Sequence, residues 1–281
     1  MSYKISKTFI AAGIFLAAST VSAFAGPLME RIEANKTIRI GFANEIPWAY
    51  SGKNNSPDGF VNAHTVGVLK TMGYTNIEPV VTDWGGLIPG LQANRFDMIT
   101  GGMYILEKRC KNVSFSEPMA KVSDAFMVKP GNPKGIHTME DLVKTGAIMV
   151  AVAGHNTVDL AKRVGVPASN IIEVPGASET LAAVKAGRAD AAAATYFSAR
   201  DMVEKSNGAV ALSDVTKQPT TRSNWVGIGF RHADADFRDK FNAAQAKYIG
   251  TKEMLAAVGK FGYGKGVLPD GKDTEWVCKN R

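Results

Sequence analysis

The chain reads as an α/β protein folded as a two-lobed clamp. Three observations predict this. Short runs rich in branched and apolar residues alternate with helix-length segments, the pattern of parallel α/β sheets. That order of elements occurs twice along the chain. Between the two occurrences Pro130, Gly131 and Pro133 interrupt the chain, which returns at 225–230. Two similar α/β units joined by two extended crossings form a bilobed body with a cleft between the lobes. The expected division is residues 26–128 plus 225–281 for the first lobe and 129–224 for the second.

The first unit opens with a strand at 37–43, alternating and rich in isoleucine. Pro47 ends it, because proline cannot continue a central strand. Pro57-Asp58-Gly59 is a turn. A helix is expected at 60–72, a strand at 77–81, and then a helix capped by Asp83 with Leu87, Ile88 and Leu91 inward. A short strand covers 96–100. In the second unit 123–128 is apolar enough to be a buried strand. Thr138 to Asp141 has capping-box spacing. Strands follow at 147–152, 170–174 and 189–195, with a helix after Gly154 and another at 178–187. Asp234 should cap a last long helix carrying Phe237, Phe241, Ala244 and Tyr248 at helical spacing.

Residues 1–25 stand apart. Lys4 and Lys7 precede a short apolar stretch, and Ala23-Phe24-Ala25 offers small residues for cleavage before Gly26. This is a secretory signal peptide, too short for a span of ~18 or more apolar residues. A periplasmic, unanchored protein is expected. The formal charge of +7 falls to +5 without Lys4 and Lys7, and it is spread thinly. Lys108-Arg109 and Lys162-Arg163 are the longest basic clusters, so nucleic acid is not an expected partner. Two cysteines, Cys110 and Cys278, permit one disulfide in an oxidising compartment; two separate buried thiols are the alternative. Neither cysteine has metal-ligand spacing, and the four histidines do not cluster in sequence, so neither metal nor cofactor is expected.

The stretch from Asp83 to Pro118 carries the most specific pattern: W-x-x-L-I-P-x-L, then D-x-I-x-x-G-M, then an arginine and F-S-x-P. This resembles the polar-amino-acid family (family 3) of periplasmic solute-binding proteins, the receptor subunits of ABC importers. The resemblance extends over the chain beyond the leader. It implies the periplasmic-binding-protein-like (type II) fold, a monomer, a small-molecule ligand, and an importer permease and ATPase as partners. It also implies that Arg109 takes a ligand carboxylate, which a planar guanidinium can bind through two parallel hydrogen bonds.

Strand-end loops in open α/β sheets line ligand clefts. By that rule the loop with Glu45 and Trp48, the Trp84 turn, the Tyr104–Arg109 segment and the Gly154–Thr157 turn converge on one cleft. Together with the resemblance, this makes Glu45, Trp48, Trp84, Gly102, Tyr104, Arg109, Asn156, Thr157 and Thr195 the candidate ligand contacts, with no catalytic residue among them. Asn156 and Thr157 lie at a helix start that favours an anion. His155 reads as a bystander. Trp48, Trp84 and Tyr104 lie on different loops, and three aromatic faces around one cation make a cage for a diffuse cation. Amino-acid binders of the family place Ser or Thr three residues before the arginine and an Asp after the second-lobe strand. Here those positions hold Leu106 and Thr195. A compact ammonium needs acceptors when buried, so their loss argues against an ordinary α-amino acid. The retained arginine and the cage describe a zwitterionic compatible solute. Within the family the pattern most resembles the ectoine/hydroxyectoine-binding receptors; a betaine is the rival ligand. A dehydratase on the same fold is the competing class, and it would need a general acid such as Glu45 or His155.

Overall fold

The computed structural model describes residues 26–219 and 222–281. The leader read at 1–25 therefore lies outside the described residues. The first sheet has five strands in the order Asn76–Val81, Thr37–Phe42, Met98–Ile99, Gly229–Phe230, Ser114–Phe115. The second has the order Ile171–Val174, Met149–Val152, Ala191–Thr195, Asp124–Val128, Ala211–Leu212. The two orders follow one plan. In each sheet the first three strands run parallel. The fourth is antiparallel to both its neighbours.

The expected all-parallel sheets are thus mixed, for a topological reason. Parallel neighbours need a crossover, and helices such as Phe60–Thr71 and Asn156–Val164 supply it. The fourth strand of each sheet arrives directly from the other lobe and has no such constraint. The crossings themselves pair as a ladder, Ala120–Val122 antiparallel to Asn224–Val226. By its pairing, Asp124–Val128 belongs to the second sheet, so a division after Val128 would fall at the far end of that strand. We propose instead that the lobes part at the 120–122 and 224–226 ladder.

Local signals hold unevenly. Thr138 forms the capping box: its hydroxyl accepts from the Asp141 amide at 3.3 Å, and the Asp141 carboxylate accepts from the Thr138 amide at 2.9 Å. Asp83 and Asp234 precede helical turns as expected, yet neither side chain caps. Asp234 is buried; it accepts from the Leu28 amide and pairs with Arg231 at 2.6 Å. A charged guanidinium and a buried amide outcompete the local cap. Cys110 and Cys278 are bridged, tying the short helix Glu107–Cys110 to the C-terminal helix Thr274–Asn280.

One buried histidine makes the first lobe sensitive to acid. His64 is fully buried on the helix Phe60–Thr71, with Nε2 3.0 Å from the Gln245 Oε1 of helix Ala235–Tyr248. The Gln245 amide nitrogen donates to Glu117 O, which leaves its oxygen toward the imidazole. His64 Nδ1 has no partner among the described residues. Burial lowers the imidazole from 6.5 to about 4, partly opposed by the Gln245 bond. The unfolded chain therefore takes this proton first as pH falls. Stability from this site is complete above about pH 6.5 and drains away down to about pH 4, by about 3 kcal/mol in all. Urea unfolding between pH 7 and 4 should show a steeper fall for the wild type than for His64→Gln. Parallel curves would refute this role.

Candidate functional site

The expected site residues sit at the carboxyl ends of the parallel strands of both sheets. The loop after Thr37–Phe42 carries Glu45 and Trp48. It is closed by paired backbone bonds between Glu45 and Ala49, 2.8 and 3.0 Å, and contains a cis Ile46–Pro47 bond. The following helix begins by donating its Phe60 and Val61 amides to Pro47 O and Trp48 O. Amides that would otherwise be orphaned at a helix start thus fasten the loop. Trp84 begins a single 3-10 turn, Trp84–Gly86, after Asn76–Val81. Gly102 follows Met98–Ile99 with φ +81°, and a Cβ there would meet the Trp48 ring at 2.4 Å. Both the positive φ and the close approach require glycine.

Glu45, Trp48, Trp84, Gly102, Tyr104, Arg109, Asn156 and Thr195 line one small, tight cavity between the lobes. His155 joins them. Thr157, also expected, does not line the cavity: it is buried, and its hydroxyl has no hydrogen-bond partner among the described residues. Trp48 and Tyr104 meet edge to face with ring centroids 6.2 Å apart. Trp48 also packs on Phe60 at 4.6 Å and on Phe197 of the second lobe at 5.8 Å. It is 1% exposed, whereas Trp84 is 9% exposed. Trp48 is therefore as much a core residue as a cage wall.

Polar contacts hold the lobes together around the cavity. Trp48 Nε1 donates to Thr195 Oγ1 at 2.8 Å, and Trp84 Nε1 to Gly154 O at 3.3 Å. The Tyr104 hydroxyl donates to Asp124 Oδ1 at 3.1 Å. Lys108 pairs with Asp159 on the rim. His155 Nε2 lies 3.0 Å from Glu45 Oε1. The pair does not meet hydrogen-bond geometry, so it is a close contact and not a hydrogen bond.

Arg109 is the electrostatic centre. It is 5% exposed, and its Cζ lies 5.6 Å from the Trp84 ring centre. One amino group donates to Tyr104 O at 3.0 Å and the other to Gly154 O of the second lobe at 3.2 Å. Burial lowers its pKa from 12.5 to about 10, against the pull of Tyr104, Asp124 and Glu45. It remains a cation at neutral pH. The acids nearest in sequence do not engage it: Glu107 pairs with Lys111, and Glu117 accepts from the Thr274 amide. Among the described residues its side chain meets backbone carbonyls and an aromatic face, and no carboxylate pairs with it.

Two participants were not legible beforehand. Asp124, at the start of its strand, accepts from Tyr104, from Asn156 at 2.8 Å and from Asn224 at 3.3 Å. Burial raises its pKa, opposed by those bonds and by His155. Nothing around Asp124 in the chain marks it. His155 stands just before the helix Asn156–Val164 and packs edge-on to Trp84 at 4.8 Å. A lone histidine after a glycine carries no signal beyond its place at a strand end. Among the described residues no group of three or more His, Cys, Asp or Glu is placed to hold a metal, and no helix is long and apolar enough to cross a membrane.

Comparison with known proteins agrees with this fold. The family described as bacterial extracellular solute-binding proteins, family 3, matches residues 38–263. A probable amino-acid ABC transporter periplasmic-binding protein, y4tE of Sinorhizobium fredii, is 35% identical over 99% of both chains. The L-cystine-binding protein TcyJ of Escherichia coli is 26% identical over 86% of this chain and 89% of its own. Among solved structures, EhuB in complex with hydroxyectoine superposes with TM-score 0.80 at 28% identity, over 89% of this chain and 97% of that one.

Proposed function

Since this chain belongs to the bacterial extracellular solute-binding proteins of family 3, we propose that it is the periplasmic receptor of an ABC importer for a zwitterionic compatible solute, ectoine or hydroxyectoine first and a betaine second. The observation that carries the reading is Arg109, a buried cation without a carboxylate of its own, at the edge of an aromatic cavity. A ligand carboxylate supplies the missing charge, and two parallel bonds fit the guanidinium fork. Trp48, Trp84 and Tyr104 offer ring faces or edges to the other end of the ligand. A delocalised or methylated cation sheds water more cheaply than a compact ammonium and gains ~0.5–2 kcal/mol from each good ring face. Glu45 supplies the counter-charge. The likeness to a protein solved with hydroxyectoine supports this choice of ligand.

Asp124 favours a second reading, an α-amino acid. It provides a half-buried carboxylate on the second lobe, where Thr195 lacks one. Its oxygens are already engaged by Tyr104, Asn156 and Asn224, which ranks this reading second. We propose no catalysis: Glu45 and His155, the acid–base candidates, face each other across the cleft and both are buried. Release of carbon dioxide and water from a prephenate-like acid would overturn that.

Calorimetric titration with a small panel decides between the readings. Ectoine, hydroxyectoine or glycine betaine should bind with micromolar or better affinity, about −8 kcal/mol or more favourable. Glycine, glutamate, arginine, histidine and cystine should bind far more weakly. Tight binding of an ordinary amino acid with the solutes inert would hand the site to the second reading.

A further inference from the structure

Arg109 stands on very little secondary structure. Its helix, Glu107–Cys110, is a single turn, which has no stability of its own in water. Yet a two-bond clamp on a carboxylate tolerates displacements of only about 0.5 Å. Something outside the turn must hold it.

The C-terminal helix Thr274–Asn280 and the residue after it hold both ends of the turn. At one end Cys110, the neighbour of Arg109, is bridged to Cys278. At the other, the Glu107 amide donates to Arg281 O at 2.8 Å. The C-terminal helix is itself anchored in the first lobe. Asp273 caps it by accepting from the Trp276 amide at 2.7 Å. Thr274 Oγ1 donates to Ser116 O at 2.6 Å, and Trp276 meets Trp225 edge to face at 5.7 Å. Val277 is fully buried in the same apolar cluster as Trp84 and Ile105. The tail also reaches the crossing, where Arg281 donates to Asn224 Oδ1 at 2.8 Å. A bridge that served global stability alone could lie anywhere in the lobe. This one is made by the residue next to Arg109 in the chain, with a second tie three residues away.

We propose that the C-terminal helix, through the Cys110–Cys278 bridge and the Arg281 carbonyl, is the positioning element for Arg109, and that opening the bridge weakens recognition of the ligand carboxylate. Cys110, Cys278 and Arg281 are positioning residues: they act through Arg109. This rests on the reading of Arg109 as the carboxylate site.

The test uses the wild type, the double variant Cys110→Ser/Cys278→Ser, and a variant ending at Asn280 that keeps the bridge. Each is titrated with ectoine, with glycine betaine and with the carboxamide of whichever solute the wild type binds. Hydrogen exchange is followed at the amides of residues 107–110. Opening the bridge should weaken carboxylate ligands by about tenfold and leave the already weak carboxamide within about twofold, because only the clamp is lost. Amides 107–110 should exchange about tenfold faster while the second sheet is unchanged. The variant ending at Asn280 should move both readouts the same way and by less, and it carries the test alone should the double variant unfold. Unchanged affinity with unchanged exchange, or an equal loss for carboxylate and carboxamide, overturns the proposal. Should the wild type bind none of the solutes, the carboxylate reading of Arg109 fails, and exchange at 107–110 still decides whether the tail holds the turn.

Discussion

Replacing Arg109 by alanine should weaken binding of the cognate solute by ~2–5 kcal/mol, about thirtyfold to several thousandfold. The size follows from burial. The guanidinium is 5% exposed and surrounded by Tyr104 O, Gly154 O and the Trp84 ring. Without it, a carboxylate entering the cavity gives up water for no opposite charge. Arg109→Lys should recover little of the loss. One ammonium cannot bridge two carbonyls on opposite lobes and also present a planar fork to a carboxylate. Calorimetry of both variants against wild type reads this directly. An Arg109→Ala protein that binds within twofold of wild type would remove the arginine from the site. The unliganded protein should lose less: two bonds to backbone carbonyls disappear, but so does a desolvated charge.

Trp48→Ala should destabilise the fold itself, by ~3–5 kcal/mol, as large buried aromatic-to-alanine changes do. The ring is 1% exposed and packs between Phe60 of its own lobe and Phe197 of the other, and its indole nitrogen donates to Thr195. Trp84→Ala should behave differently. Its ring is 9% exposed and borders the cavity beside Arg109, so ~1–3 kcal/mol should be lost mainly from ligand binding. Urea unfolding and calorimetry of the two variants separate these effects. Equal stability losses in both would contradict the division. Trp48→Phe should retain most of the packing and lose the bond to Thr195.

The sequence by itself determined the local elements, the family and most of the residues that line the cavity. Branched apolar runs became strands because alternation and β-branching are properties of a few adjacent residues. The Thr138–Asp141 capping box formed for the same reason: both partners lie within one turn. Eight of the nine expected positions meet at one cavity because they lie at or beyond strand ends, and such ends converge in an open α/β sheet. The partner of Cys110 followed from there being one other cysteine. Tertiary structure alone decided the rest. It made the fourth strand of each sheet antiparallel, since pairing across the crossings leaves no trace in a local window. It turned Asp234 from a cap into the partner of Arg231, and Trp48 from a free ring face into a core residue joining two lobes. It drew in Asp124 and His155, whose partners Tyr104 and Glu45 lie 20 and 110 positions away. Periodicity and capping are carried by neighbours in the chain. The charge balance of a cleft is carried by residues that become neighbours only when both lobes have folded and met.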